Sequence, residues 1–187
     1  MVTPGTWHES DPAISVKWSE AMGAWAEAIL PELEQVASVF GGSITYEDLA
    51  SAIQYRTGYR TRMLLGNWIG KVLEVVLKRT IREGLAPLTS LVVRKDTGGV
   101  GDGYYNHDHP QHSVKDDVQL QRMAAQDRLT CYRVHCGSVP ANATPRMTEL
   151  FDQKHSPVGR ARAELPEQFC PTCHLVLPLG GECDSCA

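Results

Sequence analysis

The sequence predicts a mainly α-helical protein carrying one small β-hairpin, followed by a small four-cysteine ribbon module. Three observations carry this expectation. Apolar residues recur at three- and four-residue spacing in long stretches, one β-branched run is broken by a D-T-G-G turn, and four of the six cysteines fall in the last eighteen residues. The chain has 187 residues, 42% hydrophobic, 21% charged and 7% aromatic, which is the composition of an ordinary globular protein. That length suits one domain with an appendage or two small domains, and a large multidomain enzyme is excluded.

The first helix is expected over residues 16–38, where Trp18, Met22, Trp25, Ile29, Leu33 and Val36 make an amphipathic stripe. Pro31 is expected to divide or kink it. A second helix begins at Tyr46, because Thr45 and Asp48 form a capping-box-like pair and Ile44 and Leu49 occupy hydrophobic-staple positions. After a "YRTGYRT" turn, "RMLLGNWIGKVLEVVLKRTIREG" reads as a long helix closed by Gly84, with Pro87 beyond it. "PLTSLVVRKDTGGVGDGYY" reads as a strand, a turn and a returning segment, hence a hairpin. Its glycines do not follow dinucleotide-binding spacing and no helix comes after them. Residues 115–130 suggest one more helix and "CYRVHC" a short strand, with Cys131 and Cys136 as small buried residues. From 137 to 168 Pro, Asn, Ser and isolated charges occur without periodicity, as in a linker. The expected organisation is a helical domain over 1–136, a linker over 137–168 and the ribbon over 169–187.

No apolar stretch reaches membrane-spanning length, and "MVTPGTWHESDP" has neither a basic start nor an apolar core, so a cytoplasmic protein without membrane contact is expected. In a reducing compartment paired C-x-x-C motifs are metal ligands rather than disulfides. Cys170, Cys173, Cys183 and Cys186 follow C-x2-C-x9-C-x2-C, the spacing of a zinc ribbon with one structural Zn(II) per chain. Four thiolates leave no open coordination position, so the expected use is a small rigid surface for a second contact or a protein partner. Redox chemistry and iron are the alternatives.

The net charge of −4 gives no general argument for nucleic acid. Residues 55–96, however, hold nine cations (56, 60, 62, 71, 78, 79, 82, 94, 95) against three acids (74, 83, 96), a local balance of +6. At about 100° per residue, Arg60, Asn67, Lys71, Lys78 and Arg82 fall within about 40° of one line, with Leu65, Ile69, Val72 and Val76 opposite. A helix with a core face and a basic face, beside a hairpin bearing Arg94 and Lys95, is the footprint of a double-stranded DNA binder. On this reading Lys71, Lys78 and Arg79 meet phosphates and the Arg94–Lys95 hairpin serves as a wing.

"ITYEDLASAI", then "TRMLLG", then "APLTSLVVRKDTGGVGDGYY" resembles, in order, the winged-helix DNA-binding half of the O6-alkylguanine DNA alkyltransferases and alkyltransferase-like proteins, over roughly residues 43–105. The resemblance implies a winged-helix-like centre, with Tyr46 near the target phosphate and Arg62 as the finger that fills the space left by a flipped base. Arg62 must then lie in the turn ahead of the helix. Where the family has Pro-Cys-His-Arg-Val this chain has Pro87-Leu88-Thr89-Ser90-Leu91, so the acceptor thiolate and its histidine are absent and alkyl transfer is excluded at this site. The implied function is non-catalytic DNA binding, regulatory or recognising modified bases.

Two rivals stand beside it. One is a protein-binding adaptor whose basic stripe meets an acidic partner and whose ribbon is the docking surface. The other is a metal-dependent hydrolase or nuclease centred on His107, His109 and His112 in "NHDHPQH", where three imidazoles are able to hold a metal and activate a water.

Overall fold

Trp25, Ile29 and Leu33, one turn apart on the first helix, have no solvent exposure and set the axis of the core. The computed structural model describes residues 5–104, 117–155, 170, 172, 173 and 186. Two units are distinguished, Met1–Phe151 and Asp152–Ala187. The first is mainly helical with a small antiparallel sheet.

Three strands of that sheet are β1 (Thr6–His8), β2 (Asp11–Ser15) and a third introduced below. Helix α1 (Trp18–Ala37) buries Ala21, Trp25, Ala28, Ile29, Leu33 and Ala37 against the three helices over 46–57, 69–83 and 117–135. Pro31 does not divide α1. Its ring lies on the exposed side, where the missing N–H forfeits one bond while the buried stripe continues past it.

Strand β3 (Ile44–Thr45) leads into α2 (Tyr46–Thr57), which starts where the sequence places it. Thr45 Oγ1 accepts from the Asp48 backbone N–H at 3.1 Å and donates to Asp48 Oδ2 at 2.7 Å, so the cap is made within one residue pair. Gly58, at φ 73°, ends α2 in the left-handed region.

The chain then departs from the expected long helix. Tyr59–Thr61 is strand β4, paired antiparallel to β1 with Thr6 opposite Thr61 and His8 opposite Tyr59, giving the order β2-β1-β4. A 3-10 turn over Leu65–Asn67 follows, and α3 runs only over Ile69–Glu83. A tertiary partner for the backbone of residues 59–61 overrides local helix propensity. Arg60 and Asn67 therefore do not share a helix with Lys71, Lys78 and Arg82. Gly84, at φ 65°, closes α3 as expected, and Leu85 N–H reaches Thr80 O at 2.9 Å.

The expected hairpin is replaced by a 3-10 turn at Leu88–Leu91 and a two-residue strand, β5 (Val92–Val93), paired parallel to β3. Residues 94–99 close a tight turn through Arg94 N–H to Gly99 O at 2.7 Å and Gly98 N–H to Arg94 O at 2.8 Å. Among the described residues no strand returns along β5. Burial explains the difference: Leu88, Leu91, Val92 and Val93 are all inside, so the segment is a core-filling element without a solvent face.

Helix α4 (Asp117–His135) contains most of the segment expected as a strand. Leu120, Gln121, Ala124, Ala125, Arg128, Leu129 and Tyr132 are buried at helical spacing. Two of them, Gln121 and Arg128, are polar. Helix α5 (Glu149–His155) lies within the expected linker, and residues through Phe151 belong to the first unit.

Candidate functional site

The basic segment is largely neutralised by carboxylates that the fold draws from outside it. Arg56 pairs with Glu32 at 3.4 Å, Arg60 with Glu9 at 2.6 Å, Arg79 with Glu27 at 2.9 Å, Arg94 with Asp102 at 3.0 Å and Lys95 with Glu47 at 3.1 Å. Within the segment, Lys78 pairs with Glu74 at 2.8 Å, and Arg79 and Arg82 share Glu83 at 3.2 Å. Arg79 joins α3 to α1 through both oxygens of Glu27, and these carboxylates raise its pKa. Arg60 also donates to the Gln54 carbonyl at the end of α2. Both are structural ties, which the local charge count could not foresee.

Arg62 and Lys71 are the two cations of the nine without a carboxylate partner among the described residues, Arg62 ahead of α3 and Lys71 in its first turn. Arg62 stands in the turn between β4 and the 3-10 element. It is exposed, with its guanidinium 5.6 Å from the centre of the Trp7 ring. Met63 and Leu64 beside it are exposed, Leu64 at 77%, and so are Gly66, Asn67 and Gly70. The first turn of α3 holds no acid and its N-terminus has no side-chain cap. A Cβ placed on Gly66 or Gly70 would meet nothing within 4 Å, so the backbone there is open to approach. The N–H groups of Asn67, Trp68 and Lys71 are taken by Leu64, Leu65 and Trp68 carbonyls, so what this end of a 15-residue helix offers is the positive end of a dipole, with Lys71 in its first turn and Arg62 in the turn before it. Trp68, 2% exposed and packed on Trp25 with ring centres 4.5 Å apart and planes tilted by 39°, anchors it to the core.

Tyr46 has a different post. Its hydroxyl accepts from Gly101 N–H at 3.2 Å, and burial pushes its phenol above the ordinary range. Gln121, 2% exposed, holds the same glycine-rich loop by accepting from Val100 N–H at 2.8 Å and donating to Val100 O at 3.3 Å. A Cβ on Gly101 would stand 2.7 Å from the Tyr46 hydroxyl, and one on Gly99 2.9 Å from Gln121 Nε2. The glycines thus admit two side chains that clamp the backbone. Sequence reading had no signal for Gln121, whose partner is a main-chain amide.

The thiol nearest the Leu88–Leu91 segment is Cys131, on α4. It is fully buried, 3.8 Å from Ser90 Oγ, and burial pushes its pKa up to about 12. Arg128, 3% exposed, donates to Ser90 O at 3.1 Å, and burial lowers its pKa. A thiol so protonated at neutral pH is no alkyl acceptor. Its shift stabilises the fold fully below about pH 9, the unfolded thiol's range, and that contribution is lost as pH rises toward 12. The native thiol is accordingly expected to resist iodoacetamide at pH 8 and to react when the chain is unfolded in urea. Equal modification rates in the two states would contradict the burial.

In the second unit, Cys170, Cys173 and Cys186 place their sulfurs within 4.8 Å of one another, close enough to hold a metal ion. Cys170 and Cys186 Sγ are 3.9 Å apart, far beyond a disulfide's roughly 2.05 Å. The separation matches the edge of about 3.8 Å in a tetrahedron whose metal–sulfur bonds are about 2.3 Å. Thiolates at this spacing fit a soft or borderline divalent metal. Cys183, the expected fourth ligand, lies outside the described residues, as do His107, His109 and His112.

Comparison of the chain with protein-family models, characterised proteins and solved structures gives no match. The fold and sites define a mainly helical protein with a small antiparallel sheet and a C-terminal thiol cluster. Among the described residues no helix is long and apolar enough to cross a membrane.

Proposed function

We propose that the protein binds double-stranded DNA without catalysis, through the turn at Arg62–Asn67 and the exposed face of α3. The observation that carries this reading is that residues 62–71 hold the two carboxylate-free cations together with a helix N-terminus that has no acid in its first turn and no side-chain cap. A phosphate is the ligand such a place suits. Lys71, Lys78 and Arg82 lie along one line of the helix, at 100° per residue, and extend the contact when exposed Glu74 and Glu83 yield to phosphate. Arg94 and Lys95 lie outside this contact. The turn's Arg62 and exposed Leu64 are suited to enter a groove, where apolar wedges and arginines part or replace bases. Cys170, Cys173 and Cys186, joined by Cys183, hold one structural zinc, and the ribbon supplies a second contact or docks a protein.

The experiment is fluorescence anisotropy with a random 20-base-pair duplex at two salt concentrations, for the wild type and the double variant Arg62→Glu, Lys71→Glu. Both side chains are exposed, so folding is expected to persist. Affinity should fall about tenfold or more, and the slope of log K against log salt should become shallower by about 1.8, two contacts at about 0.9 each. An affinity unchanged in the double variant would move the interface away from α3. No duplex binding by the wild type would leave the adaptor reading. A preference of the wild type for a modified duplex, lost in Arg62→Ala, would extend the role to altered bases.

A further inference from the structure

On a different surface of the first unit, a groove of about 590 Å³ opens between the loop ahead of α2, the turn after β5, the inner side of α4 and the segment leading into α5. Its size is that of a small-molecule site rather than a long peptide channel. Tyr132 and Leu129 of α4 form part of the apolar wall. Phe40, 41% exposed, meets Tyr132 edge-on, with ring centres 5.5 Å apart. Tyr132 is itself fixed, 7% exposed and donating its hydroxyl to Gly42 O at 2.6 Å. An aromatic ring is therefore held at the mouth of the groove by a buried partner, a costly position for an apolar side chain with nothing to cover it.

The polar part of the lining is cationic. Arg94, Lys95 and Arg146 contribute three positive charges against one acid, Glu149. Among the described residues Arg94 and Lys95 pair with Asp102 and Glu47, whose side chains are 83% and 58% exposed and exchange readily with another anion. Arg146 is exposed and has no carboxylate partner among the described residues. The other hydroxyls at hand are divided. Thr45 caps α2 and Thr148 donates to Gly98 O at 2.6 Å, whereas Ser43 and Thr144 have no hydrogen bond within the described residues. Gly98, at φ 70°, is required where the turn passes Thr148, since a Cβ there would stand 2.6 Å from Thr148 Oγ1.

We propose that this groove binds a nucleotide, its base against Phe40 and its phosphate held by Arg146 with Arg94 and Lys95. A planar ring carrying an anion is the ligand class that uses both halves of the lining, since base–aromatic contact and arginine–phosphate pairing are the two interactions the walls offer. The nucleotide comes either as a free molecule or as a unit of a single strand. Neither Arg62 nor Lys71 takes part, so the site stands apart from the duplex contact.

The test is isothermal titration of the full chain with adenosine 5′-monophosphate, inorganic phosphate, adenosine and an eight-nucleotide single strand. Adenosine 5′-monophosphate is expected to bind at least tenfold more tightly than phosphate or adenosine. Phe40→Ala and Arg146→Glu, both at exposed positions, should each weaken it about tenfold while circular dichroism stays unchanged. Arg62→Glu, Lys71→Glu should leave it intact, which separates failure here from failure of the duplex reading. A single strand binding tenfold more tightly than the mononucleotide, with the same loss in Phe40→Ala, identifies strand as the source; equal affinities identify free nucleotide. Phosphate binding as well as the nucleotide, no nucleotide binding at millimolar concentration, or affinity unmoved by both variants would each overturn the proposal.

Discussion

Trp25→Ala is expected to remove most of the stability of the first unit and, with it, the duplex affinity. Trp25 has no exposure, and its ring lies 5.5 Å from Trp18 and 4.5 Å from Trp68, while Nε1–H donates to Tyr59 O at 3.4 Å. Truncating a buried aromatic to alanine costs about 3–5 kcal/mol, from lost transfer energy and a cavity the neighbours fill only in part. A domain of this size commonly holds about 5–15 kcal/mol in all. The effect reaches the candidate site because Trp68 immediately precedes α3 and rests on Trp25. Losing that floor frees the turn bearing Arg62 and the helix end bearing Lys71. Urea unfolding monitored by circular dichroism should show the midpoint falling sharply in Trp25→Ala, little in the exposed control Tyr55→Ala (82% exposed in the wild type), and to an intermediate degree in Trp25→Phe. Equal midpoints for Trp25→Ala and Tyr55→Ala would mean that α1 does not organise this core.

The stripe on α1 was legible because every fourth residue is apolar, and Thr45 announced the start of α2 because a cap is a local chemical event. Gly84 announced the end of α3 for the same reason. What could not be read depends on partners distant in sequence. Tyr59–Thr61 becomes a strand only because Thr6–His8 lies beside it, and Val92–Val93 pairs with Ile44–Thr45 across the core. The end of α4 reads as a strand because Tyr132 and Val134 are aromatic and β-branched, whereas burial there follows the helix, with Cys131 and Tyr132 inside and Val134 64% exposed. The charge count had the same weakness. Counting along residues 55–96 yields a basic patch, but Glu9, Glu27, Glu32, Glu47 and Asp102 arrive from outside the window and leave Arg62 and Lys71 as the free cations. Of the five residues expected along one helical line, Arg60 and Asn67 lie ahead of α3, and Lys71, Lys78 and Arg82 lie on it. The thiol cluster is more legible than a charged surface for the same reason: a C-x-x-C pair brings two donors together over three residues, whereas a surface is assembled from the whole unit.

Removing metal is expected to have the larger effect on the second unit. The segment from Cys170 to Cys186 has too few residues to bury a core, so on the zinc-ribbon proposal the thiolate–metal bonds would supply the folding energy. Apparent binding energies of structural zinc in such small modules are about 10–16 kcal/mol at neutral pH, more than any single side chain contributes. The protein as purified should contain one zinc per chain by elemental analysis, and Cys173→Ser should lose it. A chelator strong enough to compete with four thiolates should do the same and make the tail susceptible to protease. Acidification should also release the metal, since protons compete for the thiolates. The helical unit should keep its cooperative thermal transition throughout, because its core residues, from Ala21 to Tyr132, include none of these cysteines. Metal content separates the alternatives for the rest of the chain as well. Two metals per chain, with the second lost on changing His107, His109 and His112 to alanine, would favour the hydrolytic centre over a purely binding role. One metal, lost with Cys173, is the outcome expected of a structural ribbon, and no metal of any kind would remove the ribbon while leaving the α3 contact to stand or fall on its own titration.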